Sequence, residues 1–449
     1  DLVDLSKFSP EIQPYIKDLF IDKYSNLIAM HSLDLGNLSK TLGYYRIKLK
    51  PFAKLPEFKK VYYQTPSEIQ QLEAILAFLI KADAISKSDV EGSDDAQLDS
   101  FASPSYLIPK SNPNSAARLI VNFKFLNSQL ATEPTHLETA SSVIHAFRDK
   151  YLFTNMDLSC AFQSIRITKE SRDLTLFSTP LGTFKHHILP TGLKASPDVL
   201  SRMMYKCLHF DTEKDDDGNF KLDENGFPLM KIDIIPGCKT IYDDLILATP
   251  LKKTKAATLR HHFEILEKVL KRLHNHGAKL GFSKCHFAKT RISFFGFFIS
   301  ANFVSIDPRR IEAIISKPFP SNVKETKVIS GHLSFIQGFL GFNVQKQATW
   351  LHDLAKTSKF FNPSEEHFIG FEKMKKFLTK SQLYANIICP NADKLLFTDS
   401  AIGKQNCLSS VLCQIIKPKD SDEIYPPLGI NLEDPNHGII YDNQFNIVP

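Results

Sequence analysis

The stretch Lys239-Thr-Ile-Tyr-Asp-Asp-Leu-Ile-Leu-Ala248 narrows the folding options of this chain more than any other. Two adjacent acids, Asp243 and Asp244, are flanked on both sides by apolar residues that favour extended backbone. The pattern reads as a strand, a tight turn carrying the acids, and a second strand. Two ionised carboxylates at one turn repel each other. A divalent cation removes that repulsion and takes them as ligands, because hard cations prefer oxygen donors. Taken alone, the pair would suit any exposed acidic turn, so the weight of the reading lies in what surrounds it.

A third acid closes another apolar run. Tyr151 to Met156 reads as a strand and Asp157 follows it directly. Asp157 could serve as a helix N-cap. It could equally be the third carboxylate of a site shared with Asp243 and Asp244, since strands ending side by side would converge the acids on two cations. Such sites hold their ions about 3.5–4 Å apart and stabilise both oxygens of an in-line displacement. Two further features sit well with an anionic substrate. Leu189-Pro-Thr-Gly-Leu-Lys-Ala-Ser-Pro197 is a turn entering a helix, where Gly192 would let backbone approach a flat ligand. Lys110 and Arg118 lie on paired strands and could clamp a triphosphate, although either could be a solvated strand charge.

The bulk properties permit this chemistry without demanding it. A chain of 449 residues exceeds one ordinary core and predicts several domains. Its net charge of +6 tolerates a polyanionic partner. Seven cysteines, an odd number with no Cys-x-x-Cys pair, point to reduced thiols in an intracellular setting and away from a disulfide scaffold or zinc ribbon. No apolar run is long enough for a bilayer, so no membrane partner is expected. The chain opens on Asp1 and is expected to be a piece of something longer.

Residues 1–64 read as an irregular leading arm. Thr65-Pro-Ser-Glu68 then has the form of a capping box, followed by Ile69, Leu72, Ile75, Leu76 and Leu79 at helical spacing. Ser105–Lys110 and Ala117–Phe123 read as a strand pair, with a further short strand around Ile165 and another over Leu174–Ser178. Pro197–Leu208 is helical in pattern, as is Leu259–Leu273, which Gly277 closes. Residues 209–238 are rich in Asp, Gly and Asn; their spacing does not fit an EF-hand and predicts a hairpin excursion. Ile292–Ile299 is an apolar strand pair, Pro308–Leu383 is mostly helical and lysine-rich, and Leu395–Asp399 is a strand ending on an acid. The mixture of strands and helices predicts an α+β chain.

In this order, the motifs resemble those of reverse transcriptases from retroviruses and Gypsy-type LTR retrotransposons. Asn155-Met-Asp-Leu-Ser-Cys-Ala-Phe-Gln-Ser-Ile-Arg166 resembles their first palm motif, Leu189–Pro197 the second, and Ile241–Asp244 the YxDD box. Gly277-Ala-Lys-Leu-Gly-Phe-Ser-Lys-Cys-His-Phe287 is similar to the fourth motif, and Phe294-Phe-Gly-Phe-Phe-Ile-Ser300 to the primer-grip hairpin. Ile306–Ile314 through Phe371–Leu378 is similar to the thumb region, and Phe397-Thr-Asp-Ser400 to the opening of an RNase H domain.

The resemblance implies a right-hand polymerase followed by an incomplete RNase H-like α/β domain. The arm would span 1–64, the fingers 65–155, the palm 156–304, the thumb and connection 305–385, and the partial RNase H-like domain 386–449. Asp157, Asp243 and Asp244 would bind two Mg2+ ions, with Mn2+ as a substitute. Arg118 and Lys110 would hold the incoming deoxynucleoside triphosphate, and Phe162 would be the steric gate against ribose. Lys284 would approach the leaving pyrophosphate as a general acid, and Asp399 would be the first metal ligand of the RNase H site. The implied partners are an RNA or DNA template–primer and other domains of a Pol polyprotein, and the implied location a cytoplasmic virus-like particle with access to the nucleus.

The sequence departs from the family pattern in three places. Ile241 replaces the usual leading aromatic of the box, and Thr191 stands where glutamine or phenylalanine is common. The RNase H portion stops at Pro449, short of that fold's full acidic set, with Glu433 a candidate second acid. A catalytically inactive polymerase-like protein that only grips nucleic acid is the alternative, supported by basic stretches such as Lys252–Arg272 and Lys356–Lys380. The presence of all three carboxylates argues against it. An RNA-synthesising polymerase is disfavoured by Phe162.

Overall fold

The computed structural model describes residues 3–31, 34–54, 60–88, 101–109, 117–131, 142, 146–147, 150–213, 215–217, 219–224, 226–241, 244–294, 296–300, 303–336, 350–351, 354, 361–380, 384–386, 393–401 and 407–415. The chain forms two compact units, one of residues 1–139 and 154–288, the other of residues 140–153 and 289–449.

In the first unit, described residues of the arm are tied to the rest of the unit. Regular structure there is sparse, as the prolines predict: α1 is Gln13–Lys17 and α2 is Ser39–Leu42. Yet Ile16, Leu19, Phe20, Leu27 and Leu38 are buried. Its backbone is held by Leu280 N–H donating to the Leu27 carbonyl, by Ala29 N–H donating to the Leu280 carbonyl, and by Asn37 N–H donating to the Gly277 carbonyl. Leu27, Ala29 and Asn37 therefore strap the arm to the segment that follows Gly277. Helix α3, Pro66–Lys81, opens on the expected capping box: Thr65 Oγ1 accepts from Glu68 N–H, and Thr65 N–H donates to Glu68 Oε2 at 2.8 Å.

A five-stranded sheet follows, built from β1 (Ile85–Lys87), β2 (Ser103–Ile108), β3 (Arg118–Val121), β5 (Phe177–Thr179) and β6 (Gly182–His186), in the order β1-β6-β5-β2-β3. The Pro180-Leu181 turn joins β5 to β6 with Thr179 opposite Gly182. The short strand expected around Ile165 is absent. Cys160 takes φ 50° and residues 159–165 run as successive turns, leaving only isolated bridges of Arg166 to Ile188 and Ile167 to Tyr45. Between β3 and this turn run lie helix α4, Lys124–Gln129, and strand β4, Lys150–Asp157; helix α5, Lys169–Arg172, follows.

The central sheet has the order β11-β4-β10-β9, where β9 is Cys238–Ile241, β10 Asp244–Pro250 and β11 His286–Lys289. Leu245, Ile246 and Leu247 of β10 and Phe153 and Met156 of β4 are fully buried. Helix α6, Ser196–His209, and helix α7, Lys255–Asn275, belong to the same unit. Gly277, at φ +70°, turns the chain out of α7 as expected.

Residues 209–238 form the expected hairpin excursion, with β7 (Phe210–Thr212) antiparallel to β8 (Met230–Ile232). Its base is anchored by Arg272, which is buried and donates to Asp233 Oδ2 at 2.6 Å and to the Asp233 carbonyl at 3.2 Å.

In the second unit, β12 (Arg291–Phe294), β13 (Phe297–Ser300), β14 (Phe303–Ile306) and β15 (Tyr384–Asn386) form an antiparallel sheet in that order. Helices α8 (Pro308–Ile315), α9 (Val323–Ile336) and α10 (Glu365–Lys380) bear out the helical reading of this region. Phe319, Trp350 and Phe371 pack together between them. The described part of residues 386–449 is largely a long antiparallel pair, β16 (Asp393–Ala401) with β17 (Cys407–Ile415).

Candidate active site

Strand β4 exists because Leu152, Phe153 and Met156 bury apolar surface while extended backbone suits the Tyr-Leu-Phe-Thr run. It ends on Asp157, whose side chain is 26% exposed, so the carboxylate meets solvent at the sheet's edge and not in its core. Strand β10 begins on Asp244 and is the neighbour of β4 in the sheet. Asp244 is in register with Ile241 of β9, which fixes residues 242–243 as the two-residue connection. That is the hairpin geometry expected from the sequence. Tyr242 and Asp243 themselves lie outside the described residues.

The segment after Gly277 runs beside Asp157. Leu158 bridges to Leu280, Ser159 N–H donates to the Lys279 carbonyl at 2.8 Å, and Gly281 N–H donates to the Asp157 carbonyl at 2.9 Å. A Cβ on Gly281 would lie 2.9 Å from Asp157 Oδ2, inside contact distance. Glycine at 281 therefore makes room for the carboxylate. Three residues on, in a 3-10 turn over Phe282–Lys284, Lys284 Nζ donates to Asp157 Oδ2 at 3.1 Å. Beside them the Cys285 thiol is buried, which pushes its pKa up to about 12 and keeps it protonated.

Phe162 lies half-buried in the turn run after β4, with its carbonyl accepting from Ile165 N–H. Gly192 adopts φ +100°, a conformation open to glycine, and a Cβ added there would meet the Val121 carbonyl and the Phe123 ring at ordinary contact distance. Its loop is held by Asn127 of α4, whose Nδ2 donates to the Gly192 carbonyl at 2.9 Å while its Oδ1 accepts from Lys194 N–H at 2.7 Å. Arg118 starts β3, exposed and opposite Ile108. Lys110 lies outside the described residues, as does Glu433. Asp399 sits in β16 in register with Ser409.

Sequence reasoning did not single out Asn127, Gly281 or His262. Gly281 stood inside a recognised motif, but only the neighbouring carboxylate reveals why it is glycine. Asn127 contacts a loop 65 positions away and has no local signature. His262 falls on the face of α7 marked by Leu259, Phe263 and Leu266, so its burial was readable, whereas its partners on two strands were not. Among the described residues no three His, Cys, Asp or Glu side chains cluster closely enough to hold a metal. Asp243, the third acid of the expected set, is outside that search.

The family model for reverse transcriptase (RNA-dependent DNA polymerase) matches residues 108–299. The chain is 26% identical over 318 residues to the retrovirus-related Pol polyprotein from transposon opus of Drosophila melanogaster, covering 70% of this chain and 26% of that one. It is 23% identical over 420 residues to the corresponding polyprotein from transposon 412 of the same organism, covering 92% of this chain and 30% of that one. The chain thus spans about a quarter to a third of these curated relatives. Among solved structures, a foamy viral protease–reverse transcriptase with double-stranded DNA matches with a TM-score of 0.69 at 18% identity, over 92% of this chain and 64% of that one. A foamy viral protease–reverse transcriptase with an RNA/DNA hybrid matches at 0.66 and 17%, over 91% of this chain and 49% of that one. The fold is that of these polymerases, and residues 108–299 are similar to the reverse transcriptase family and to Pol polyproteins of LTR retroelements.

Proposed function

We propose that this chain is an RNA- and DNA-directed DNA polymerase that copies retroelement RNA into DNA. The observation that carries the proposal is the meeting of two strands in one sheet. β4 ends on Asp157 and its neighbour β10 begins on Asp244, which Asp243 directly precedes in the sequence. The donor set fits hard divalent cations: carboxylate oxygens at strand ends, one of them already paired with a cationic side chain, Lys284. Asp157, Asp243 and Asp244 would hold two Mg2+ ions, for which Mn2+ could substitute. The ions, when bound, would lower the barrier by neutralising charge on the attacking and leaving oxygens.

The remaining steps belong to the chain. The primer 3′-oxygen attacks the α-phosphorus of a deoxynucleoside triphosphate and the bond to the bridging oxygen breaks, releasing pyrophosphate. Little covalent chemistry falls to the protein, so catalysis is positioning and charge stabilisation. Arg118 and Lys110 would hold the triphosphate through guanidinium and ammonium contacts. Phe162 would occupy the space needed by a ribose 2′-hydroxyl. Lys284 would hand its proton to the departing pyrophosphate. Foamy viral relatives in complex with RNA/DNA hybrid and double-stranded DNA support a template–primer as the partner. The exposed Lys373 and Lys376 of α10 would track its phosphates without reading bases. Asp399 would contribute to a separate RNase H site completed by residues beyond it, and other Pol domains would be its neighbours in a virus-like particle.

The test is primer extension by the 449-residue chain on a defined RNA and a defined DNA template with Mg2+. Incorporation that persists after Asp243→Asn with Asp244→Asn would remove those acids from the mechanism. Wild-type chain that binds template–primer but incorporates nothing would favour a binding-only protein. Phe162→Ala should admit ribonucleotides, and unchanged sugar selection would remove the gate.

A further inference from the structure

One buried imidazole touches both strands that deliver the acids. His262, on α7, is fully buried. Its Nε2 lies 2.7 Å from Thr154 Oγ1 of β4, and its Nδ1 lies 2.7 Å from Thr249 Oγ1 of β10. Thr154 Oγ1 also accepts from Ala288 N–H of β11 at 3.0 Å. A single side chain thus links three adjacent strands of the central sheet to the helix packed on them. Thr154 lies three residues before Asp157 and Thr249 five after Asp244. Both are buried polar groups in strands otherwise lined by Leu, Ile and Phe.

We infer that His262 is a positioning residue: by pairing with Thr154 and Thr249 it fixes the register of β4 against β10, and so the spacing of Asp157 from Asp244. The inference rests on the polymerase reading of those acids. A strand advances about 3.3 Å per residue, and a slip by one residue turns every side chain to the opposite face. Such a slip would present Phe153 or Asn155 to Nε2 and move Asp157 by about the separation of two metal ions in such sites. The buried apolar side chains of both strands resist the slip, and two hydrogen bonds of fixed direction add to that resistance, because an imidazole nitrogen left unpaired in the core is costly.

A neutral imidazole between two threonine hydroxyls satisfies both ring nitrogens in either tautomer, donating through one and accepting through the other. Burial lowers the His262 pKa to about 3, so the ring stays neutral and keeps one donor and one acceptor at working pH.

The experiment compares wild type with Thr154→Val, which keeps shape and removes the hydroxyl, and Thr154→Ser, which restores it. Three quantities are read on the full chain: Mn2+ binding by calorimetry without nucleotide, the single-turnover incorporation rate normalised to burst amplitude, and template–primer Kd. Misplacement of a catalytic group by about 1 Å can cost two orders of magnitude. Thr154→Val should therefore weaken Mn2+ binding and slow the burst by roughly tenfold or more, with template–primer Kd unchanged, and Thr154→Ser should restore both. A folded Thr154→Val with wild-type metal affinity and burst rate would overturn the inference, as would a serine variant no better than valine. If Thr154→Val does not fold, Thr249→Val removes the other arm and is read in the same way. Failure of the polymerase reading looks different: wild type itself would neither bind Mn2+ nor extend a primer, and both ideas would fall.

Discussion

Lys284 Nζ stands 3.1 Å from Asp157 Oδ2, closing a gap of 127 positions in sequence. Its side chain is 71% exposed, so the pair contributes little to stability. Removing it should separate chemistry from folding. Lys284→Ala is expected to leave the melting temperature unchanged and to slow pre-steady-state incorporation by about 100-fold, the low end of what a positioned proton donor supplies. Lys284→Arg should lie between, since it keeps the charge but holds its proton more tightly. A rate for Lys284→Ala within about threefold of wild type would leave no general-acid role to assign.

Gly281→Ala tests whether space beside Asp157 matters. The backbone at 281 has φ −80°, which any residue can adopt, so loss of activity cannot be ascribed to backbone strain. The new methyl would sit 2.9 Å from Asp157 Oδ2 and would turn the carboxylate away. Overpacking of this kind costs about 1–3 kcal/mol. The expected result is a rise of several-fold or more in the Mg2+ concentration for half-maximal rate, measured by titration, with a modest fall in melting temperature.

Asn127 clamps the Gly192 loop through both ends of its amide. Asn127→Ala removes two hydrogen bonds worth about 1 kcal/mol each. If the Gly192 loop lies under the incoming nucleotide, KM for deoxynucleotides should rise more than kcat falls, and steady-state kinetics on a fixed template–primer would read the difference. Equal effects on both would relocate the loop's role to the chemical step.

Three buried histidines set an acid limit. Burial lowers His186 and His276 to about 4 and His262 to about 3, against an ordinary 6.5. These groups are neutral in the fold and would charge on unfolding, so their contribution is complete above about pH 6.5. It is lost as pH falls below that value towards the folded pKa values, by about 1.4 kcal/mol per pH unit for each histidine. Melting temperature should therefore fall steeply between about pH 6 and 4. His276→Gln should flatten the slope by about one third, and a profile as steep as wild type would show that His276 is not held neutral.

The elements themselves were legible because their determinants are local. The capping box at Thr65–Glu68, the Pro180-Leu181 turn, the two-residue connection at 242–243 and the excursion at 210–232 each follow from a handful of adjacent residues. The order of the acid-bearing motifs was equally readable, since order is a property of the chain. The failures share a cause as well. The run around Ile165 has strand composition, but its hydrogen bonds go to Tyr45 and Ile188 in single bridges, and no neighbouring strand supplies a ladder. The leading arm has little regular structure, but distant partners at Gly277 and Leu280 bind it.

Sequence alone determined most of the strands, turns and helices, and that Asp157 closes one strand and Asp244 opens another. Tertiary structure alone decided that β4 lies beside β10, that Lys284 and Gly281 face Asp157, that Asn127 grips the Gly192 loop, and that His262 joins Thr154 to Thr249. The division follows from the range of the forces. Backbone propensity and periodicity act over a few residues, whereas a hydrogen bond between groups tens to hundreds of positions apart exists only once the chain has folded.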